Sequence, residues 1–373
     1  MPSKSVPVVL VDEHIYGIQS LSDIGFSVKV IQHECPLLEQ SEGCDALLIR
    51  TVHKITRTTF PTFPSQLRFI GTATAGTDHL DIPWIKNHGI TVGHSPGCNA
   101  QAVAEYVITG ILFAFQFDVQ KLQKRTVGII GHGQTGGKVS ALLDALGIAW
   151  KAYDPPKANQ ASNSKYVSFE EVLACDILTL HVPLTFDGDY PTHEMIHQDV
   201  LANRTFDLFI NAARGGVTNE EAVLWGLETG RIKHVITDVW KGEPSVHPTL
   251  VKASLLATPH IAGYSIQGKM EATRMVCQQL LDTFKINKRF TIYDTHQTEN
   301  LLTLDASKGL GNLLQRMHPM FELSQTLKKQ PGSFSILRNT HPLRQEFSRW
   351  IVTFLSESDK KLAQQLGCKI EYS

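Results

Sequence analysis

Several features are missing from the chain, and each absence narrows its role. There is no C-x-x-C pair: the six cysteines, Cys35, Cys44, Cys98, Cys175, Cys277 and Cys368, are scattered. That argues against a disulfide framework or a cysteine metal site and suits free thiols in a reducing cytoplasm. There is no excess of either charge, because 35 Lys and Arg stand against 36 Asp and Glu, a formal net charge of −1. A nucleic-acid partner is therefore not expected, although local basic sites for small anions remain open. No apolar run is long enough for a bilayer: the longest, Ala102 to Phe117, is interrupted by Glu105 and Gln116 and reads as a buried helix. No N-terminal stretch carries the pattern of a secretory signal. A cytoplasmic protein without a membrane partner is the expectation. Internal repeats and low-complexity runs are absent too.

What is present is an alternation of short apolar strands and helical segments in a chain of 373 residues, 42% hydrophobic and 19% charged. That length accommodates two or three domains. Val8–Val11, Val28–Ile31, Ala46–Ile49 and Arg68–Gly71 read as buried parallel strands. A long helix is predicted from Asn99 to Phe117. A second series follows at Thr126–Gly131, Ala149–Asp154, Asp176–His181, Leu208–Asn211, Val235–Asp238 and Leu255–Thr258. Six strands with helical connections make a doubly wound sheet. The fold class expected is α/β: two doubly wound parallel-sheet domains, Rossmann-like or flavodoxin-like, with an active site between them. Beyond about Phe284 the chain is more polar and broken at Pro331-Gly332, and a strand is predicted at Trp350–Leu355. This tail reads as a small α+β module.

The segment from Thr126 to Gly136 is a strand running into G-x-G-x-x-G and a helix. Gly131 permits the tight turn, Gly133 lets backbone approach a pyrophosphate, and Gly136 lets helix and strand pack closely. The first helical turn, Gln134 and Thr135 with Gly136, offers N–H donors and a positive dipole end to phosphates. Asp154 ends the next strand, about 20 residues beyond the first glycine, where a carboxylate accepts the ribose hydroxyls. It repels a 2′-phosphate, so NAD is expected rather than NADP.

Three polar residues stand at the ends of later strands: Arg214, Glu243 and His260. Oxidising a 2-hydroxy acid needs a cation for the carboxylate, a base for the hydroxyl proton, and a group that orients and tunes the base. Arg214 offers a bidentate fork. His260 titrates in the range of a base. Glu243 can hold the imidazole and favour its protonated form. A competing motif, His193-Glu-Met-Ile-His197, matches the helical zinc pattern H-E-x-x-H. It falls on a connection inside the nucleotide-binding unit with no evident third ligand, so it is read as a solvent-facing helix start and no metal is expected.

These residues resemble those of the D-isomer-specific 2-hydroxyacid dehydrogenases over roughly residues 5 to 285. The stretches that carry the resemblance are Val11–Glu13, Leu48–Lys54, Gly71–His79, Ser95–Ala100, Tyr153–Pro156, Asp238–Pro244 and His260–Tyr264. Within the family these stretches together, with Gly71–His79 the most particular, most resemble a branch that acts on a small phosphorylated hydroxy acid in pyridoxal phosphate (vitamin B6) synthesis. The resemblance implies catalytic roles for Arg214, Glu243 and His260, with His260 the proton donor or acceptor. It implies NAD contacts at Asp154, the backbone near Val182, Asp238 and Gly263, and substrate contacts at Thr51, Thr74 and Tyr264. It divides the chain into a substrate-binding (lid) domain at 1–98 and 264–285 and an NAD-binding domain at 99–263; the tail, 286–373, resembles the dimerisation domain of that branch around Phe334–Trp350, which implies a homodimer. Ala213 stands where the family usually has Cys, Val182 where it has Thr, and Arg344-Gln345 where it has two arginines.

A substrate phosphate needs charge-assisted donors. Arg50 follows the strand Ala46–Ile49 and is the residue expected to read it, with Thr51 adding a hydroxyl and Lys54 close by. Arg344 and Arg338 are further candidates from the tail. The alternatives are another dehydrogenase of this family, for example one using 3-phosphoglycerate, or an NAD-sensing scaffold. The complete Arg, Glu and His set argues against the scaffold.

Overall fold

Five strands form the first sheet: β1 (Val8–Val11), β2 (Ser27–Val30), β3 (Ala46–Ile49), β4 (Phe69–Thr72) and β5 (Thr91–Gly93), in the order β2-β1-β3-β4-β5, all parallel. Every residue of β3 and β4 is buried, as expected of a parallel sheet covered on both faces. Alternation sorts their side chains between two cores. Ala46 and Leu48 face one with Val276 and Leu280; Leu47 and Ile49 face the other with Phe60 and Ile85. The strand β5 was not expected from sequence, because three residues ending in glycine, with Thr91 exposed, carry no readable apolar run.

The second sheet runs β6 (Thr126–Ile130), β7 (Ala149–Tyr153), β8 (Ile177–Leu180), β9 (Leu208–Asn211), β10 (Val235–Thr237) and β11 (Leu256–Ala257). Its order is β11-β10-β9-β8-β6-β7, again parallel throughout. The order reverses beside β6, the switch point at which such sheets hold ligands. The expected long helix spans Ala100–Ala114. It stops short of Phe117 because Gln116 and Phe117 take left-handed conformations, φ 55° and 59°. A third small parallel sheet joins β12 (Asn300–Thr303), β13 (Trp350–Thr353) and β14 (Lys369–Ile370).

The computed structural model describes residues 6–32, 34–159, 164–292, 300–303, 309–353 and 356–370. The last two residues of the strand expected at Trp350–Leu355 lie outside them. The chain forms two compact units, Met1–Asn99 with Ile266–Thr298, and Ala100–Ser265 with Glu299–Ser373. Within the second, the tail is tied down by polar contacts. The N–H of Ala257 donates to Ser324 Oγ at 2.9 Å, and Lys328 Nζ donates to the Leu255 carbonyl at 3.1 Å. Among the described residues no helix is long and apolar enough to cross a membrane.

Candidate active site

The turn after β11 carries His260 in the left-handed region, φ 57°, which costs a non-glycine residue about 1 kcal/mol or more. Asp238, at the end of β10, holds it there. Its carbonyl accepts the His260 N–H at 2.8 Å. Its buried carboxylate accepts from Thr258 Oγ1 at 2.6 Å, from Ile261 N at 2.7 Å and from Ala262 N at 2.9 Å. Both carboxylate oxygens of Asp238 are thus engaged by the turn itself.

On that scaffold His260 Nδ1 lies 2.7 Å from Glu243 Oε2. The other oxygen of Glu243 accepts the Trp240 N–H at 2.9 Å. Burial pushes the Glu243 carboxyl up, but the His260 contact, the Trp240 N–H and Arg338 outweigh it and hold the group below its ordinary value. An ionised Glu243 accepts a proton donor at His260 Nδ1, which leaves Nε2 as the nitrogen that can accept a proton.

Arg214 sits in the loop after β9. Asn211 shapes the loop: Oδ1 accepts the Ala213 N–H at 3.1 Å and Nδ2 donates to the Arg214 carbonyl at 3.1 Å. The next residue must be glycine, because a Cβ on Gly215 would lie 2.0 Å from the Trp240 carbonyl carbon. The Arg214 loop therefore presses on the turn that carries Glu243. Arg214 is partly exposed, with Nη1 donating to the Ala213 carbonyl at 2.8 Å.

The glycine motif opens the second sheet's ligand end. Gly131 has φ 88°, and a Cβ there would meet the His181 carbonyl and Val182, both at 2.7 Å. At Gly136 a Cβ would come within 2.1 Å of the Gly131 carbonyl, while at Gly133 it would meet nothing within 4 Å. Open space beside Gly133, at the N-terminus of the Gln134–Ala145 helix, is what an approaching pyrophosphate requires. Asp154 at the end of β7 accepts the His132 N–H at 2.8 Å and caps the next helix through the Lys157 N–H at 3.2 Å. Val182 and Gly263 are partly exposed, as are Thr135 and Tyr264.

In the first unit, Arg50 Nε donates to Asp12 Oδ1 at 2.8 Å, and His53 Nε2 lies 2.7 Å from Asp12 Oδ2. Burial raises the Asp12 carboxyl, but His53, Arg50 and the His14 N–H reverse that and hold it far below the ordinary range. Lys269, on the Ile266–Thr283 helix, is lowered by burial and by the Arg50 charge, with Asp12 opposing. Arg50 and the His53 ring thus share the buried Asp12 carboxylate, one on each oxygen. Thr74 Oγ1 lies 2.8 Å from Thr72 Oγ1, which in turn is 2.9 Å from His79 Nε2. Thr51 and Lys54 are exposed. Sequence reasoning missed Asp12 and Lys269. The strand-end rule that selected Arg50 applies equally to Asp12 after β1, whereas nothing local marks Lys269.

Two expectations need correction. His193–His197 is not a helix start: it is a turn, with Glu194 at φ 48°, Ile196 buried and bridged to Thr218, and a helix beginning only at Gln198. Glu194 pairs with Lys241 at 2.7 Å, so the histidines lack the helical spacing that the zinc pattern needs. Arg344 is also not available for a substrate phosphate. Its Nη1 donates to Glu105 Oε2 at 2.6 Å and its Nη2 to the Ala102 carbonyl at 2.8 Å, with only 3% of the side chain exposed. Arg338 faces Glu243 and Tyr264 instead.

Residues 101–262 match the family model of the D-isomer specific 2-hydroxyacid dehydrogenase NAD binding domain. The chain is 40% identical over 278 residues to the erythronate-4-phosphate dehydrogenase of Marinobacter nauticus, covering 73% of this chain and 72% of that one. It is 34% identical to that of Escherichia fergusonii, over 98% of both chains. Among solved structures it shares its fold with the NAD-bound 3-phosphoglycerate dehydrogenase of Entamoeba histolytica, with a TM-score of 0.62 and 23% identity over 77% of this chain and 99% of that one. The chain therefore belongs to the D-isomer specific 2-hydroxyacid dehydrogenase family, in its erythronate-4-phosphate dehydrogenase branch, and is an NAD-dependent oxidoreductase.

Proposed function

We propose that the chain oxidises 4-phospho-D-erythronate at C2 to 2-oxo-3-hydroxy-4-phosphobutanoate, an early step of pyridoxal 5′-phosphate synthesis. The observation that carries this reading is the 2.7 Å contact of His260 with Glu243 on a turn clamped by Asp238. NAD, when bound, supplies the acceptor for the hydride that leaves C2. Arg214 binds the C1 carboxylate and the developing carbonyl oxygen. His260 Nε2 takes the hydroxyl proton, and Glu243 fixes the tautomer and stabilises the imidazolium that forms. Gly131, Gly133, Gln134, Thr135 and Gly136 receive the pyrophosphate, and Asp154 the ribose, with backbone near Val182 and Gly263 completing the cofactor contacts. Asp238 serves the cofactor end by fixing the 258–262 turn, because its carboxylate is already engaged there.

Arg50 reads the substrate phosphate, supported by its place after β3, where its Nε is held on Asp12 while the side chain stays 29% exposed. Thr51, Thr74 and Tyr264 contact the rest of the substrate. Residues 1–98 and 264–285 serve the substrate and 99–263 the cofactor. The tail, 286–373, forms a cytoplasmic homodimer. Ile336, 66% exposed on the Phe334–Thr340 helix, is an apolar residue that such a contact would cover.

The test is NADH formation at saturating NAD across 4-phosphoerythronate, erythronate and 3-phosphoglycerate. Preference for the first is expected. Preference for 3-phosphoglycerate moves the assignment within the family, and turnover of none of them favours a scaffold.

A further inference from the structure

We propose that Arg338, on the Phe334–Thr340 helix of the tail, is a positioning residue for the catalytic pair: its guanidinium bridges the Glu243 carboxylate and the Tyr264 hydroxyl. This rests on the reading of His260 as the base. Arg338 Nη1 lies 3.7 Å from Glu243 Oε2, the oxygen that also faces His260 Nδ1 at 2.7 Å. Arg338 Nε donates to the Tyr264 hydroxyl at 3.2 Å. One side chain therefore touches the partner of the base and the end of the turn that carries the base.

The tail presents Arg338 from a fixed backbone. Phe334 is buried in the second unit's core, with Leu337 packed against it. Downstream, Arg344 grips Glu105 at 2.6 Å and the Phe347 N–H donates to the same carboxylate at 3.0 Å. Ser265, next to Tyr264, bridges to Arg344 and donates to Glu346 Oε1 at 2.8 Å. The Tyr264 ring stacks on His341 with centroids 5.4 Å apart and planes at 19°. The turn 260–265 is thus held by Asp238 at one end and by the tail at the other.

The charge matters as much as the shape. Arg338 faces Glu243 from the tail, Tyr264 lies at the end of the turn with His341 of the tail stacked on its ring, Asp238 lies beneath the turn, and the Arg214 loop presses on the segment that carries Glu243. A carboxylate alone beside an imidazole favours imidazolium, which cannot accept a proton. Arg338 competes with the imidazolium for the same carboxylate oxygen and so favours the neutral base. A fork can do this and hold Tyr264 together, whereas an ammonium can do only one.

The experiment uses the full chain carrying Arg338→Gln or Arg338→Lys. For Arg338→Gln, kcat should fall roughly ten- to a hundredfold, with KM for NAD unchanged and the acid limb of the kcat/KM profile moved to higher pH. Arg338→Lys should restore the limb but only part of kcat. Wild-type kcat and an unmoved limb in Arg338→Gln would overturn the proposal, as would lost rate with a lower melting temperature and an unmoved limb. Should Arg338→Gln fail to fold, Arg338→Lys decides alone: a wild-type kcat there overturns the bridging role, and a lowered kcat with an unmoved limb supports it. NMR titration of the His260 ring, assigned with His260→Gln, needs no turnover. A midpoint raised in Arg338→Gln supports the proposal whatever the substrate is, and an unmoved midpoint overturns it.

Discussion

Nδ1 of His260 lies 2.7 Å from Oε2 of Glu243, on a residue that Asp238 holds at φ 57°. The contact is short enough to fix the tautomer and points Nε2 away from the carboxylate. His260→Gln should retain NAD binding yet lose roughly 10²–10⁴-fold in turnover, the range for a general base. Steady-state rates at saturating NAD check this; a rate within a few-fold of wild type would remove His260 from the role of base.

Asp154 both caps a helix and receives the His132 N–H, so its removal has a structural cost as well as a cofactor cost. Asp154→Asn keeps the cap while removing the charge. NAD binding should weaken by about 1.5–3 kcal/mol, and use of NADP should improve relative to NAD. Binding titrations with both cofactors measure the ratio. An unchanged ratio would mean that Asp154 is not the ribose ligand.

For Arg50→Ala, KM for the phosphorylated acid should rise by roughly one to two orders of magnitude, from about 1.5–3 kcal/mol of lost binding. KM for NAD should barely move. The same variant leaves Asp12 with one fewer cation in a buried site, so Arg50→Lys is the companion that keeps its charge balanced. Comparing erythronate with and without its 4-phosphate isolates the phosphate contribution. Equal losses on both compounds would mean that Arg50 does not read the phosphate.

His79 is buried beside Thr72, and burial, with Asp78 opposing, holds it at about 4. An unfolded histidine protonates near 6.5, so between these values the unfolded chain binds more protons and stability falls as the pH falls. From pH 7 to 5 this one group should cost the first unit about 2 kcal/mol. Denaturant unfolding of wild type and His79→Asn at both pH values checks the slope, whatever the level. Equal slopes would show that His79 is not held neutral.

Much of this was legible in the sequence because local chemistry repeats. Parallel strands buried on both faces are continuous apolar runs, so Val8–Val11, Ala46–Ile49 and Leu208–Asn211 are found at the expected residues. The polar residues Arg214 and Asp154 follow the ends of β9 and β7, on the edge of a doubly wound sheet where ligands are generally held. What was not legible depends on partners distant in the chain. Arg344 offered a free cation in sequence, but Glu105, 239 residues away, takes it in the fold. The H-E-x-x-H spacing implied a helix, yet Glu194 is left-handed and Ile196 bridges to Thr218. Arg338 stood in the sequence only as a candidate for the phosphate and Lys269 not at all, because Arg338 takes its meaning from Glu243 and Lys269 from Arg50.

The central claim is hydride transfer from C2 of a phosphorylated hydroxy acid with His260 as base. The most direct measurement incubates the enzyme and NAD with 4-phosphoerythronate deuterated at C2 and analyses both products by mass spectrometry. The account predicts deuterium in the reduced nicotinamide, a 2-oxo acid that has lost it, and neither product with His260→Gln on the same timescale. Reduced cofactor without deuterium, or the same deuterium transfer at wild-type rate in His260→Gln, would contradict it.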